Sequence, residues 1–316
     1  MKRRIIILLA LSLLIPVSAQ AQTIRWVDFG VPYASLKYAM DADIRTAEQE
    51  KHINWIDILS VSACRTGGKC PLPSVKKAYS DLSSGKTPEQ LLGGVYKYYD
   101  YYHTAYCAAL GGLLGHYAVQ IDGHWRPTYG LKAFSPIAAG YGYSHCSDFG
   151  NQRSFGFSRK HLGNDLMGSQ GTPIIAVEGG VVEAMGWNRY GGWRIGIRSF
   201  DSRRYYYYAH LQKDKPFVKD LKEGDIVQAG DVIGYMGRTG YSDRENVNNI
   251  ETVHLHFGMQ LVFDESQKEC LSEIWINVYD IVRLLSEHRS SVQWVDGSFC
   301  RKYPFVDLDI EPLGII

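Results

Sequence analysis

The chain has 316 residues, 45% of them hydrophobic, which is enough to bury one large core or two smaller ones, and two domains is the expectation from length. With 34 basic residues against 33 acidic ones, the formal net charge is +1, so no global electrostatic argument favours a nucleic-acid partner.

Met1-Lys2-Arg3-Arg4, an apolar run from Ile5 to Ile15 and Ala19-Gln20-Ala21 read as the three parts of an export signal, with cleavage after Ala21. The apolar run before Pro16 falls short of the ~20 residues that a spanning helix needs, so stable membrane insertion is not expected after cleavage. The expected destination is the periplasm or the extracellular cell wall. Six cysteines (Cys64, Cys70, Cys107, Cys146, Cys270 and Cys300) lie beyond the signal, where oxidation is permitted. Cys64 and Cys70 could close a small loop, or several cysteines could be buried free thiols, and no C-x-x-C spacing suggests sulfur-bound zinc.

From Val31 to Gly115 the pattern is helical, with segments at Ser35 to Ala42 and from Ala47 through Val61, the latter ending at Gly67-Gly68. Thr87-Pro88-Glu89-Gln90 has the form of a capping box and predicts a helix through Leu91, Val95, Tyr98, Tyr99, Tyr102 and Tyr106 to Gly111-Gly112. The tyrosine stripe fits a buried helix face, with a carbohydrate-facing role as the alternative. Glu48 or Glu50 could serve a muramidase-like site, but a glutamate on a helix face is usually solvated.

After Pro136 the pattern turns to glycine, tyrosine and alternating apolar residues. Ile174 to Val177 and Val181 to Met185 about Gly179-Gly180 suggest a hairpin. Further strands are expected at Trp193 to Ile197, Tyr205 to Ala209, Ile226-Val227, Val232-Ile233 and Val253 to Phe263. A last helix is expected from Ile274 to His288. The fold class is therefore α+β: helices first, then a mainly antiparallel β domain with a C-terminal helix. The expected division is 1–21 signal, 22–132 helical part, 133–265 catalytic part and 266–316 C-terminal helix and tail.

Five residues in the second half carry the chemistry. His161-x-x-x-Asp165 offers a nitrogen and a carboxylate, His254-Leu255-His256 offers two imidazoles that a strand points to one face, and His210 closes the Tyr205 to Tyr208 run. Hydrolytic zinc usually takes three protein ligands and keeps a fourth position for water, so five candidates leave two imidazoles for proton chemistry. Strand alternation places Tyr206 and Tyr208 on the face of His210. Each motif alone could be a polar loop, a solvated strand face or a buried, satisfied histidine. Their joint occurrence in order is what makes them specific.

From Tyr141 to Phe263 these motifs resemble the lysostaphin-type (LytM-type) zinc endopeptidases, which cut cross-bridges or stem peptides in bacterial peptidoglycan. The resemblance implies His161, Asp165 and His256 as ligands of Zn2+, His210 and His254 as catalytic histidines, and peptidoglycan peptides as substrate. Leu221 to Gly234 is similar to the family's run of strands before the last motif. The polar stretch from Ser242 to Thr252 is longer than is usual there and leaves one groove wall undefined. In such a site zinc lowers the pKa of its water to about 7, His254 acts as general base, and His210 donates to the oxyanion.

Two other readings compete. A catalytically weak wall-binding or scaffold protein of the same fold would be expected to have lost ligands, and all five positions are filled. A lipoyl-type carrier, suggested by the rhythm from Lys222 onward, would need a lysine at a hairpin tip that the sequence does not offer.

Overall fold

The computed structural model describes residues 26–269 and 272–310. The export signal and Cys270 lie outside the described residues, and no described helix is long and apolar enough to cross a membrane.

Helices come first: α1 Tyr33–Thr46, α2 Trp55–Thr66, α3 Leu72–Ser83, α4 Pro88–Leu92 and α5 Tyr99–Leu110. The helix expected from Ala47 starts later, because 47–54 forms a turn and Asn54 caps α2, its side chain accepting from the Ile56 amide at 2.8 Å. Gly67 ends α2 in the left-handed conformation. Thr87 and Gln90 form the expected capping box, but the long helix after it is interrupted. Gly93 takes a positive φ, and a 3-10 stretch at Gly93–Tyr98 separates α4 from α5. Glu48 and Glu50 are exposed in the turn after α1.

The helical part ends in a hairpin that the sequence reading did not anticipate, β1 Leu114–Ile121 paired with β2 His124–Leu131 about Asp122-Gly123. Both turn residues have positive φ, the conformation for which Asp-Gly is suited.

The β region follows. Its first strands are β3 Ser144–His145, β4 Gln152–Arg153, β5 Arg159–Lys160, β6 Asn164–Met167 and β7 Pro173–Ile175. Next come β8 Gly180–Asn188, β9 Gly192–Ser199, β10 Arg204–Ala209, β11 Ile226–Val227, β12 Val232–Tyr235 and β13 His254–Leu261. The main antiparallel sheet runs β11-β8-β9-β10-β13-β6-β3. The hairpin expected about Gly179-Gly180 does not form: β7 pairs with β12, and β8 pairs with β9 and β11.

The expected C-terminal helix is shorter than 274–288. Ile274–Ile276 forms β14, its two isoleucines buried on either side of Trp275 and paired with the end of β13, and α6 spans only Tyr279–Leu285. Alternating burial at period two wins over the helical pattern there. A hairpin of β15 Val292–Val295 and β16 Ser298–Arg301 follows, and β17 Phe305–Asp307 returns to pair with β1.

One hydrophobic cluster extends from Phe29 in the helical part through Tyr106 and Leu110 of α5 to Tyr206, Phe257 and Leu285. The joint also contains a buried charge. Arg204 makes a bidentate pair with Glu178, at 2.7 and 3.0 Å, and donates to the Ala108 carbonyl of α5 at 2.7 Å. Tyr206 completes the network by donating to Glu178 at 2.7 Å.

Cys64 and Cys70 are buried free thiols, and the other described cysteines, half-buried or exposed, are also free. Cys70 Sγ lies 3.6 Å from both the Leu59 carbonyl and the Tyr106 hydroxyl. Burial pushes both thiols up to about 11.

Candidate metal centre

Three neighbouring strands build the site. In the β13–β6 register His256 lies opposite Asp165, and in the β13–β10 register it lies opposite Ala209. Directly paired residues share a face, so Asp165, His254 and His256 project from one side of the sheet while Leu255 and Phe257 enter the core on the other. His161 arrives from the loop just before β6.

Their donor atoms converge. His161 Nε2 lies 2.7 Å from His256 Nδ1 and 3.0 Å from Asp165 Oδ1, and His256 Nδ1 is 3.3 Å from the same oxygen. Tetrahedral zinc with bonds of 2.0–2.1 Å puts ligand atoms about 3.3 Å apart, so this two-nitrogen, one-oxygen set has the size and chemistry of a zinc site. Gly163 makes the approach possible, because a Cβ there would stand 2.7 Å from His256 Cε1 and 2.6 Å from the Phe257 carbonyl oxygen.

The other two histidines flank the cluster. His254 Nε2 is 3.7 Å from Asp165 Oδ1, and the His210 and His254 rings lie 4.8 Å apart. A backbone carbonyl can only accept, so His254 Nδ1, 2.9 Å from the Thr252 carbonyl, carries a hydrogen, as does His210 Nδ1 at 2.9 Å from that of Thr239. In the neutral rings this leaves the Nε2 lone pairs free. Burial, with the neighbouring His254 and His256, holds His210 well below the usual imidazole range, so it is neutral at rest.

Electrostatics within the cluster are uneven. Burial pulls the His161 imidazole down, but Asp148 and Asp165 outweigh it and carry it up to about 9. Burial opposes ionisation of Asp165, yet hydrogen bonds from His161 and His256 hold its carboxyl well below the carboxylate range. Burial lowers His256 in spite of its bond to Asp165.

All five residues singled out by the sequence come together here. The tyrosine assignment needs correcting. Tyr206 and Tyr208 are on the core face, where the Tyr208 hydroxyl accepts from the Val177 amide, and Tyr207 faces the side of the histidine cluster with its ring 5.8 Å from that of His256. His210 breaks the alternation because it follows the end of β10 with φ +62°, and this left-handed turn swings its ring onto the face that parity would deny it.

Two residues of the site escaped the sequence reading. Asp148 receives the Asp165 amide at 3.2 Å and faces His161 Nδ1 with both its carboxylate and its carbonyl, and Arg153 bridges Asp148 and Asp165. The one available signal was that both are charged residues in the polar stretch upstream of His161.

The longer polar loop forms one wall. Asn246 accepts from Trp193 Nε1 at 2.9 Å and from the Asp214 amide at 2.9 Å, which fixes the loop. Tyr241 stacks on Phe155 from the turn between β4 and β5, with ring centroids 4.8 Å apart, and its ring lies 6.0 Å from His210.

Residues 159–268 match the sequence profile of Peptidase family M23. The chain carries an M23 peptidase domain. Over 178 residues it is 36% identical to the L-Ala--D-Glu endopeptidase of Bacillus subtilis, an alignment covering 56% of this chain and 51% of that protein. It is 38% identical over 98 residues to lysostaphin of Staphylococcus staphylolyticus, covering 31% of this chain and 18% of that protein. The alignments thus span about half of the first relative and less of the second. In structure, the chain resembles a candidate glycyl-glycine endopeptidase lytM from Ruminococcus gnavus with a TM-score of 0.52 at 23% identity, over 82% of this chain and 89% of that one. That likeness extends the shared fold beyond the M23 domain into the helical part.

Proposed function

We propose that this chain is an exported zinc endopeptidase that hydrolyses peptide bonds in bacterial peptidoglycan. The observation that carries the reading is the convergence of His161 Nε2, Asp165 Oδ1 and His256 Nδ1, with two further histidines against the same cluster. The M23 match and the wall-cutting relatives support the substrate class.

His161, Asp165 and His256 would hold the metal. Zinc, when bound, supplies Lewis acidity toward a carbonyl oxygen and an acidified water of pKa about 7. His254 Nε2, its ring fixed by the bond to Thr252, is the atom that takes the proton from the attacking water. Neutral His210 presents a lone pair at Nε2, with which it would orient the attacking water by accepting a hydrogen bond, and it would donate to the oxyanion only as the imidazolium. Tyr207 lines the same face, its hydroxyl held 3.1 Å from Asn188 Nδ2. Asp148 and Glu178 play different parts from these, the first beside the ligands and the second in the joint with α5.

All of this chemistry lies between residues 133 and 265, which we assign as the catalytic part. We assign 22–132 to docking and positioning, and 266–316 to closing the back of the sheet. The test is digestion of purified cell walls with and without chelator, reading new termini by mass spectrometry. New peptide termini that vanish with chelator and return with zinc are expected. A wall preparation left intact by zinc-loaded protein would favour a wall-binding role.

A further inference from the structure

The carboxylate of Asp165 is used asymmetrically. Oδ1 sits among the three histidines, 3.0 Å from His161 Nε2, 3.3 Å from His256 Nδ1 and 3.7 Å from His254 Nε2, and Oδ2 points away to Arg153 Nη2 at 3.1 Å. The same guanidinium nitrogen is 2.7 Å from Asp148 Oδ2, which in turn lies 3.2 Å from His161 Nδ1. Asp148 Oδ1 receives the Asp165 backbone amide, so one aspartate fixes the backbone of one ligand and the ring of another. All four groups are largely removed from solvent, where such charge-assisted bonds are strong and directional.

We propose that Arg153 and Asp148 are positioning residues of the metal centre: Arg153 occupies Asp165 Oδ2 so that Asp165 binds through Oδ1 alone, and Asp148 orients His161 Nε2 toward the same point. This inference rests on the zinc reading of the site.

The chemistry follows from the coordination number. A carboxylate with both oxygens free can bind zinc through both, and it then takes up a position that water and substrate need. A guanidinium on the outer oxygen prevents that and draws electron density from the ligand, which preserves the acidity of the metal. The Asp148 carboxylate acts in the opposite sense on His161, fixing its tautomer and making Nε2 the better donor. Arg153 reaches the site from β4, and the turn beyond it carries Phe155 against Tyr241, so the segment that holds the ligand also builds the groove wall.

The test uses the whole mature chain loaded with Co2+, whose visible absorption separates four- from five-coordinate centres, together with the zinc Kd from chelator competition. The wild type is expected to bind one cobalt with the strong bands of a four-coordinate centre. Arg153→Gln should weaken zinc by about 10- to 100-fold and move the spectrum toward the weaker five-coordinate form. Arg153→Lys should recover part of the affinity, because an ammonium keeps the positive charge near the two carboxylates but lacks the length and planar fork of the guanidinium. Asp148→Asn, which preserves size, should weaken zinc while keeping the four-coordinate spectrum, and it decides the matter should Arg153→Gln fail to fold. Folded Arg153→Gln or Asp148→Asn protein with wild-type Kd and spectrum overturns the inference. No cobalt uptake by the wild-type chain overturns the zinc reading itself, a distinct result.

Discussion

Two buried clusters of charge lie on opposite faces of the same sheet, and they are built differently. On the core face, Arg204 is fully enclosed and its donors are answered by Glu178, Asp201 and carbonyls of α5. Every strong donor meets an acceptor, so the cluster needs nothing from outside. On the other face, His161 Nε2, Asp165 Oδ1 and His256 Nδ1, three atoms that could each bind a metal ion, converge on one point. Only shared protons or a cation can hold atoms of this kind so close. The difference separates a structural polar network from a candidate ligand site: burial and charge are common to both, and only the second aims its ligand atoms at one shared point.

The contrast can be broken from either side. The largest effect is expected on the histidine cluster, where Asp165→Ala removes a ligand and should abolish hydrolysis of wall peptides, measured by release of new amino termini. Measurable turnover in that variant after zinc addition would show that Asp165 is not needed. Next come His254→Ala and His210→Ala, each expected to lower the rate by about 10²- to 10⁴-fold while leaving zinc in place. Either variant keeping more than about a tenth of wild-type turnover contradicts its assigned role.

The Arg204 cluster should respond in stability instead. Arg204→Ala strands Glu178 and leaves the α5 carbonyls without their donor, and breaking a buried pair of this kind costs about 3–5 kcal/mol. Urea unfolding should show that loss with zinc binding retained in the folded fraction. A fragment starting at Ala133 lacks α5 altogether and should be destabilised for the same reason. If instead the fragment melts like the whole chain, the joint contributes little.

The smallest effect is on pH dependence. Burial holds His145 down to about 4 and also lowers His288, so the folded state prefers both neutral. The stability they contribute is complete above pH ~6.5 and is lost as pH falls toward 4, where the unfolded chain takes up protons that the folded chain refuses. His145→Phe or His288→Phe should flatten the unfolding free energy between those pH values, and an unchanged slope in both would contradict the assignment.

Much of the site was legible in the sequence because its spacings obey local rules: two histidines two apart share a strand face, and His161 precedes Asp165 by a turn containing the one glycine that fits. Tyr207 was missed for an equally local reason, the left-handed residue at His210 that ends the alternation. Asp148 and Arg153 follow no spacing rule, and only the folded loop brings them to Asp165. In the fold, the cap at Thr87 was readable and the one at Asn54 was not, while β7 pairs with a strand distant in sequence that periodicity cannot identify and β14 lies where a helical pattern was expected.

The central claim is that His161, Asp165 and His256 hold one zinc ion. Metal analysis of the purified mature chain alongside Asp165→Ala, His254→Ala and His210→Ala tests it directly. One zinc per chain is expected in the wild type and in the two histidine variants, and none in Asp165→Ala. A wild-type chain prepared without chelator that holds no zinc, or an Asp165→Ala chain that retains a full equivalent, would contradict it.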